Sequence, residues 1–97
     1  MLVLITYDVQ TSSSGGAKRL RHVAKKCEQY GVRVQYSVFE CIVDNAQLRQ
    51  LEIDLEKIID HDRDSIRIYK LGKNYKNKVT HIGAIPGRFA QRFVEIW

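Results

Sequence analysis

Apolar and polar positions alternate with two different periods along the chain, and the changes between them mark out six elements. Leu2, Val3, Leu4, Ile5, Thr6 and Tyr7 form a continuous β-rich run, which predicts a strand buried on both faces and ending near Asp8. Residues 11–16 are polar and rich in Ser and Gly, the composition of a loop that turns sharply or approaches a ligand closely. From Ala17 to about Gln29 the apolar residues fall at Ala17, Leu20, Val23, Ala24 and Cys27, the spacing of a helix with one buried stripe. Gly31 supplies a stop just past Tyr30. Residues 32–43 are long for one strand: Val32, Val34 and Tyr36 share a face that Val38 continues, while Phe39, Cys41 and Val43 take the other. That pattern predicts two strands joined tightly, or one bent strand, around Tyr36 and Ser37. Asp44 or Asn45 caps a second helix, whose stripe is Leu48, Leu51, Leu55, Ile58 and Ile59. An acidic turn from His61 to Asp64 leads to a last strand, Ser65 to Leu71.

The order is β-α-β-β-α-β, a ferredoxin-like α+β sandwich with two helices on one face of a four-stranded antiparallel sheet. Residues 1–71 make this core, and residues 72–97 form a C-terminal extension. In it a basic polar linker leads to a β-like run from Val79 to Ile85, a Pro86-Gly87 turn and the apolar residues Phe89, Phe93, Val94, Ile96 and Trp97. Burying a large apolar side chain is worth roughly 1.5–3 kcal/mol, so such an ending is expected to add a strand to a sheet edge, in the same protomer or swapped into a partner. The i, i+4, i+8 spacing of Phe89, Phe93 and Trp97 equally permits a short terminal helix.

Composition narrows the picture. The 97 residues, 44% hydrophobic and 28% charged, suit one folded domain and exclude a disordered chain. A domain of this size buries only about 60–65% of its unfolded surface, which favours an oligomer. The apolar runs are far shorter than the ~20 residues that span a bilayer, so no membrane association is expected. Cys27 and Cys41 lie within apolar patterns without zinc-like spacing, and no signal peptide precedes them. They read as reduced core thiols of a cytoplasmic protein.

The net charge of +5 comes from 16 Lys and Arg against 11 Asp and Glu, a moderate excess compatible with a polyanionic partner and with simple solubility. It is gathered in two places: Lys18, Arg21, His22, Lys25 and Lys26 oppose the buried stripe of the first helix, and Lys73, Lys76 and Lys78 crowd the linker. Both groups suit contact with the backbone of a duplex, without base reading. Asp8 stands out because it ends a buried strand and precedes a flexible loop, so a firmly held carboxylate meets an accessible space. Capping the next turn is the plainer role for such an Asp. One carboxylate is a poor magnesium site, but a two-fold axis near Asp8 would supply a pair whose repulsion a divalent cation relieves. No His/Cys/Asp/Glu cluster of metal-ligand spacing, phosphate-cradling glycine motif or nucleophile elbow occurs, so acid-base hydrolysis of the usual kinds is not suggested. Tyr36 and Phe39 could imitate the aromatic pair of an RNA-recognition sheet, but a regular strand puts them on opposite faces.

Three segments carry a family resemblance: Ile5-Thr6-Tyr7-Asp8-Val9, the basic helix with Lys18-Arg19-Leu20-Arg21 and Val23-Ala24-Lys25, and above all Arg33-Val34-Gln35-Tyr36-Ser37-Val38-Phe39-Glu40-Cys41. Over residues 2–71 they resemble the small CRISPR-associated protein that partners the spacer integrase, and the continuation through Gly72 and residues 79–83 is similar to its longer-tailed branch. The resemblance implies a ferredoxin-like homodimer that acts with the integrase in capturing new spacer DNA. It implies that Asp8, following Tyr7, coordinates Mg²⁺ or Mn²⁺ between protomers and supports phosphodiester hydrolysis of duplex DNA or RNA. Tyr7 and Phe39 would organise the site or the dimer, and Ser37 would join Asp8 in catalysis, organising the site by a hydrogen bond to a ligand, a water or Asp8. Arg19 would lie near the substrate backbone, and Arg19 or Arg33 would neutralise phosphate. One departure is plain: many relatives carry a second acidic residue after the first strand, where this chain has Thr11-Ser12-Ser13-Ser14. A non-catalytic nucleic-acid scaffold and an RNA-cleaving toxin of related fold are the alternatives.

Overall fold

The computed structural model describes residues 1–10 and 14–84. The chain runs β1 (Leu2–Asp8), α1 (Gly16–Cys27), β2 (Gly31–Gln35), β3 (Val38–Ile42), α2 (Asn45–Ile58) and β4 (Ser65–Gly72), the order expected from periodicity. The strands form one sheet in the order β2-β3-β1-β4, with every neighbouring pair antiparallel. β1, the most apolar strand, is central. Its Val3, Ile5 and Tyr7 enter the core with Phe39 and Cys41 of β3, Leu20, Val23 and Cys27 of α1, and Leu48, Leu51 and Leu55 of α2. Successive side chains of a strand point to opposite faces, so Leu2, Leu4, Thr6 and Asp8 belong to the face without helices. Burial on both faces therefore holds at Leu2 and gives way to an exposed Asp8.

The long run at 32–43 resolves into two strands around a turn at Tyr36 and Ser37, with a register shift between Arg33 and Gln35. Asp44 is the cap of α2: its carboxylate accepts from the Gln47 amide at 2.7 Å, and the Gln47 side chain accepts from the Asp44 amide at 2.9 Å, a reciprocal capping box. In α1 the stripe begins at Gly16, four residues before Leu20, and Ala17 is exposed. Gly15 turns the chain into α1 at a φ of 81°, a left-handed conformation that favours glycine. Gly31 is not the helix stop expected of it. α1 ends at Cys27, and Gly31 opens β2 where a side chain would collide with the backbone of Glu40 and Cys41.

In its described part the extension adds no strand to the sheet of the single chain. Residues 79–84 form no strand; Lys78, Val79 and Thr80 line one concavity with Leu4, Glu40, Tyr69 and Leu71 on the sheet face opposite the helices. The expected apolar ending, with its strand or helix alternatives, lies outside the described residues. Cys27 and Cys41 are free, buried thiols, as expected, and the Cys41 thiol donates to the Cys27 carbonyl at 3.4 Å. No helix among the described residues is long and apolar enough to cross a membrane.

Candidate active site

The C-terminal end of β1 carries Asp8 on the open face of the sheet. Antiparallel register pairs Asp8 with Ser65 and Thr6 with Arg67 on β4, and Thr6 with Val38 on β3. The Tyr7 amide donates to the Ser37 carbonyl at 2.9 Å, fixing the β2–β3 turn beside the strand end. Thr6, Tyr7, Asp8, Ser37, Ser65 and Arg67 thereby line one concavity of about 440 Å³. Asp8 and Ser37, 29 residues apart by number, are brought together as expected. The Asp8 carboxylate is exposed, and among the described residues it makes no hydrogen bond or ion pair. The turn that Asp8 would cap in its plainer role runs into residues 11–13, which lie outside the described residues. An exposed carboxylate, the hydroxyl residues Thr6, Ser37 and Ser65 and a guanidinium surround open space, a set that can hold a cation and hydrogen-bond a phosphate ester.

Beneath this surface lies a buried polar hub. Asp64, whose side chain is fully buried, accepts from the Tyr7 hydroxyl at 2.7 Å, from Arg19 Nε at 2.7 Å and Nη2 at 3.2 Å, and from the Asp60 amide at 3.0 Å. One carboxylate thus joins β1, α1 and the turn that starts β4. Burial pushes the Asp64 carboxyl up, but the hydrogen bonds from Arg19, Asp60 and Tyr7 and the charge of Arg19 outweigh it and hold the group below the usual carboxylate range. Burial, together with the hydrogen bond and charge of Asp64, drives the Tyr7 phenol far upward, so it remains a donor.

The other expected site residues fall into separate places. Arg21, Lys25 and Arg33 gather with His22 in a concavity of about 380 Å³ between α1 and β2. Arg33 is held there by its Nε bond to the Tyr36 carbonyl at 2.7 Å and lies over the Tyr36 and Phe39 rings. Lys18 is exposed on α1. Arg19, expected at a phosphate, directs Nε and Nη2 to Asp64 and Nη1 to the Ser14 carbonyl. Phe39 is fully buried in this chain's own core, opposite Ile5. The linker lysines are divided: Lys73 and Lys76 line one concavity, whereas Lys78 reaches the open sheet face. Asp64, Ser65 and Arg67 escaped sequence reasoning. Asp64 sits in an acidic turn that reads as solvated, and its side-chain partners Tyr7 and Arg19 are 57 and 45 residues away.

Glu40 is a second buried carboxylate, only 3% exposed, on the open face between Val32 and Leu4. Its Oε1 has no hydrogen-bond partner among the described residues. Burial raises its pKa, and the charge of His81 opposes the rise. The native state therefore holds the Glu40 proton to higher pH than the unfolded chain. The stabilisation this gives is complete below the ordinary glutamate range and is lost as pH rises through the raised folded value. Glu40→Gln is expected to flatten that fall and to leave the protein more stable than the parent at neutral pH. Thermal melts at pH 4, 6 and 8 measure it; a parallel fall in both proteins would contradict it.

The fold and the site together define a small ferredoxin-like α+β protein with a strand-end carboxylate on an open sheet face. The model of the family described as CRISPR associated protein Cas2 matches residues 1–79, and the chain belongs to that family. It is 69% identical over 86 residues to the CRISPR-associated endonuclease Cas2 of Halalkalibacterium halodurans, covering 89% of this chain and 90% of that protein. It is 55% identical to the CRISPR-associated endoribonuclease Cas2 of Nitratidesulfovibrio vulgaris, over 89% of this chain and 84% of the other. Among solved structures, Streptococcus pyogenes Cas2 superposes with a TM-score of 0.79 at 54% identity, covering 86% of this chain and all of that one (100%). The family resemblance carried by the strand end, the basic helix and the second hairpin is thus borne out.

Proposed function

We propose that this protein is a metal-dependent endonuclease of CRISPR adaptation, which binds duplex DNA as a homodimer with the spacer integrase and hydrolyses phosphodiesters of DNA or RNA at Asp8. The observation that carries this reading is the Asp8 carboxylate, open to solvent and free of hydrogen bonds among the described residues, in one concavity with Ser37. The names of the relatives, endonuclease in one case and endoribonuclease in the other, support the reaction class. Among the described residues no three His, Cys, Asp or Glu side chains cluster to hold a metal ion. Mg²⁺ keeps several waters and takes one or two carboxylates, so the donor set fits a water-rich ion shared by Asp8 of two copies. Bound there, Mg²⁺ or Mn²⁺ would activate water and offset charge on the transferred phosphate. Ser37, which lines the same concavity, would orient a water or a phosphate oxygen. Arg21, Lys25 and Arg33, with Lys18 and the linker lysines, supply cations for the duplex backbone.

The basic residues of α1 and the linker, which suit a duplex backbone without any reaction, carry a second reading, a non-catalytic scaffold for duplex DNA. One experiment separates the two. Asp8→Asn is expected to reduce Mg²⁺-dependent cleavage of a defined duplex at least a hundredfold while leaving duplex affinity within about threefold, since it removes a metal ligand and not a backbone contact. Equal metal-dependent cleavage by variant and parent would overturn the assignment of Asp8. Absence of cleavage from the parent, with duplex binding intact, would support the scaffold.

A further inference from the structure

We propose that Arg67 is the phosphate-binding residue of the Asp8 concavity, gripping the phosphodiester that the site presents to Asp8; this deepens the hydrolytic reading above and rests on it. A carboxylate repels a phosphodiester, so a site built around Asp8 needs a cation on the same surface. The register supplies one. Asp8 faces Ser65 and Thr6 faces Arg67 across β1 and β4, which puts Arg67 on the Asp8 face, diagonally one pair away. Diagonal neighbours of an antiparallel pair lie about 7–8 Å apart at the backbone, so an extended guanidinium and the carboxylate can flank one phosphate. Both residues line the concavity with Ser37 and Ser65.

The state of the guanidinium supports the assignment. The donors of Arg19 are directed to Asp64 and Ser14, and Nε of Arg33 to the Tyr36 carbonyl. Arg67 forms no ion pair among the described residues. Its contacts are a long Nη1 bond to the Tyr69 hydroxyl at 3.4 Å and the Tyr69 ring, 5.9 Å from the guanidinium carbon. A cation resting on an aromatic face is oriented without losing its planar fork of donors. That fork matches two oxygens of one phosphate, whereas a lysine offers only a point charge. Ser65 and Ser37, which line the same concavity, would donate to the remaining oxygens.

The test has two arms. In the first, protein labelled with ¹⁵N is titrated in EDTA with a twelve-base-pair DNA duplex, and the Arg67 Nε–H resonance is followed. It is expected to shift on saturation, in the parent and in Asp8→Asn alike. In the second, Arg67→Ala and Arg67→Lys are compared with the parent in Mg²⁺. Arg67→Ala is expected to lower kcat about a hundredfold, the usual scale for one transition-state donor, with a smaller change in KM. Arg67→Lys should recover KM but not kcat. Arg67 is exposed, so all variants should melt with the parent. A stationary Arg67 resonance at saturation overturns the proposal, as does a parental kcat in Arg67→Ala. If the parent does not cleave, the hydrolytic reading fails, and the first arm alone decides whether Arg67 binds the phosphodiester.

Discussion

Asp64→Ala is expected to destabilise the protein by about 3 kcal/mol, because removing one partner of a buried ion pair leaves the others uncompensated. For a domain of this size that lowers Tm by roughly 12–24 °C. The expectation follows from the number of partners lost. The Asp64 carboxylate accepts from Tyr7, Arg19 and Asp60, so its removal takes the acceptor from a buried hydroxyl and the paired charge from a guanidinium together. Tyr7→Phe takes away one donor and leaves the Arg19 pair intact, so it should cost only about 1 kcal/mol. The acid limb gives an independent reading. Asp64 is held below the usual carboxylate range in the fold, so its stabilisation is present above the ordinary aspartate range and is lost as pH falls through the depressed value. Urea denaturation at pH 7 and pH 3 should show a smaller acid-induced loss in Asp64→Asn than in the parent. Equal stabilities of Asp64→Ala and parent at pH 7 would show that the hub contributes nothing.

Gly31→Ala carries the second large effect. A Cβ at Gly31 meets the Glu40 carbonyl and the Cys41 Cα, both backbone, so no side-chain rotation relieves the collision. Gly31 pairs with Cys41 at the start of β2, and Cys41 is a core residue. The strands must part or slip, and overpacking of this kind costs about 1–3 kcal/mol. Gly31→Val should cost more, although valine is the better strand former. Amide hydrogen exchange across β2 and β3 distinguishes the cause: faster exchange confined to these strands is expected, and a uniform change through the sheet would point elsewhere. Gly72→Ala is a useful control, since nothing lies within 4 Å of a Cβ there and the cost comes from its φ of 84° alone.

The contrast between these residues shows what was legible in the chain. The element order, both helical stripes and the Asp44 cap follow from spacing, because helix and strand bury one face with fixed periods of 3.6 and 2. Asp8 at the end of a buried strand was legible for the same reason, and Ser37 followed from the motif around it. The partners of Asp8 were not. Arg67 and Ser65 reach the site through the β1–β4 register, which depends on a crossover of the whole chain. Asp64 and Glu40 had no local signal at all: one carboxylate is buried because Tyr7 and Arg19 converge on it, the other sits on the middle of the sheet between Val32 and Leu4. The role of Gly31 was misjudged from local rules, since a glycine after a helix reads as a stop, and only the closeness of β3 gives its reason. Local patterns determined which segments form and which sides they bury. The tertiary structure decided which polar groups meet, because such meetings depend on distances between residues far apart in sequence, which no local period encodes.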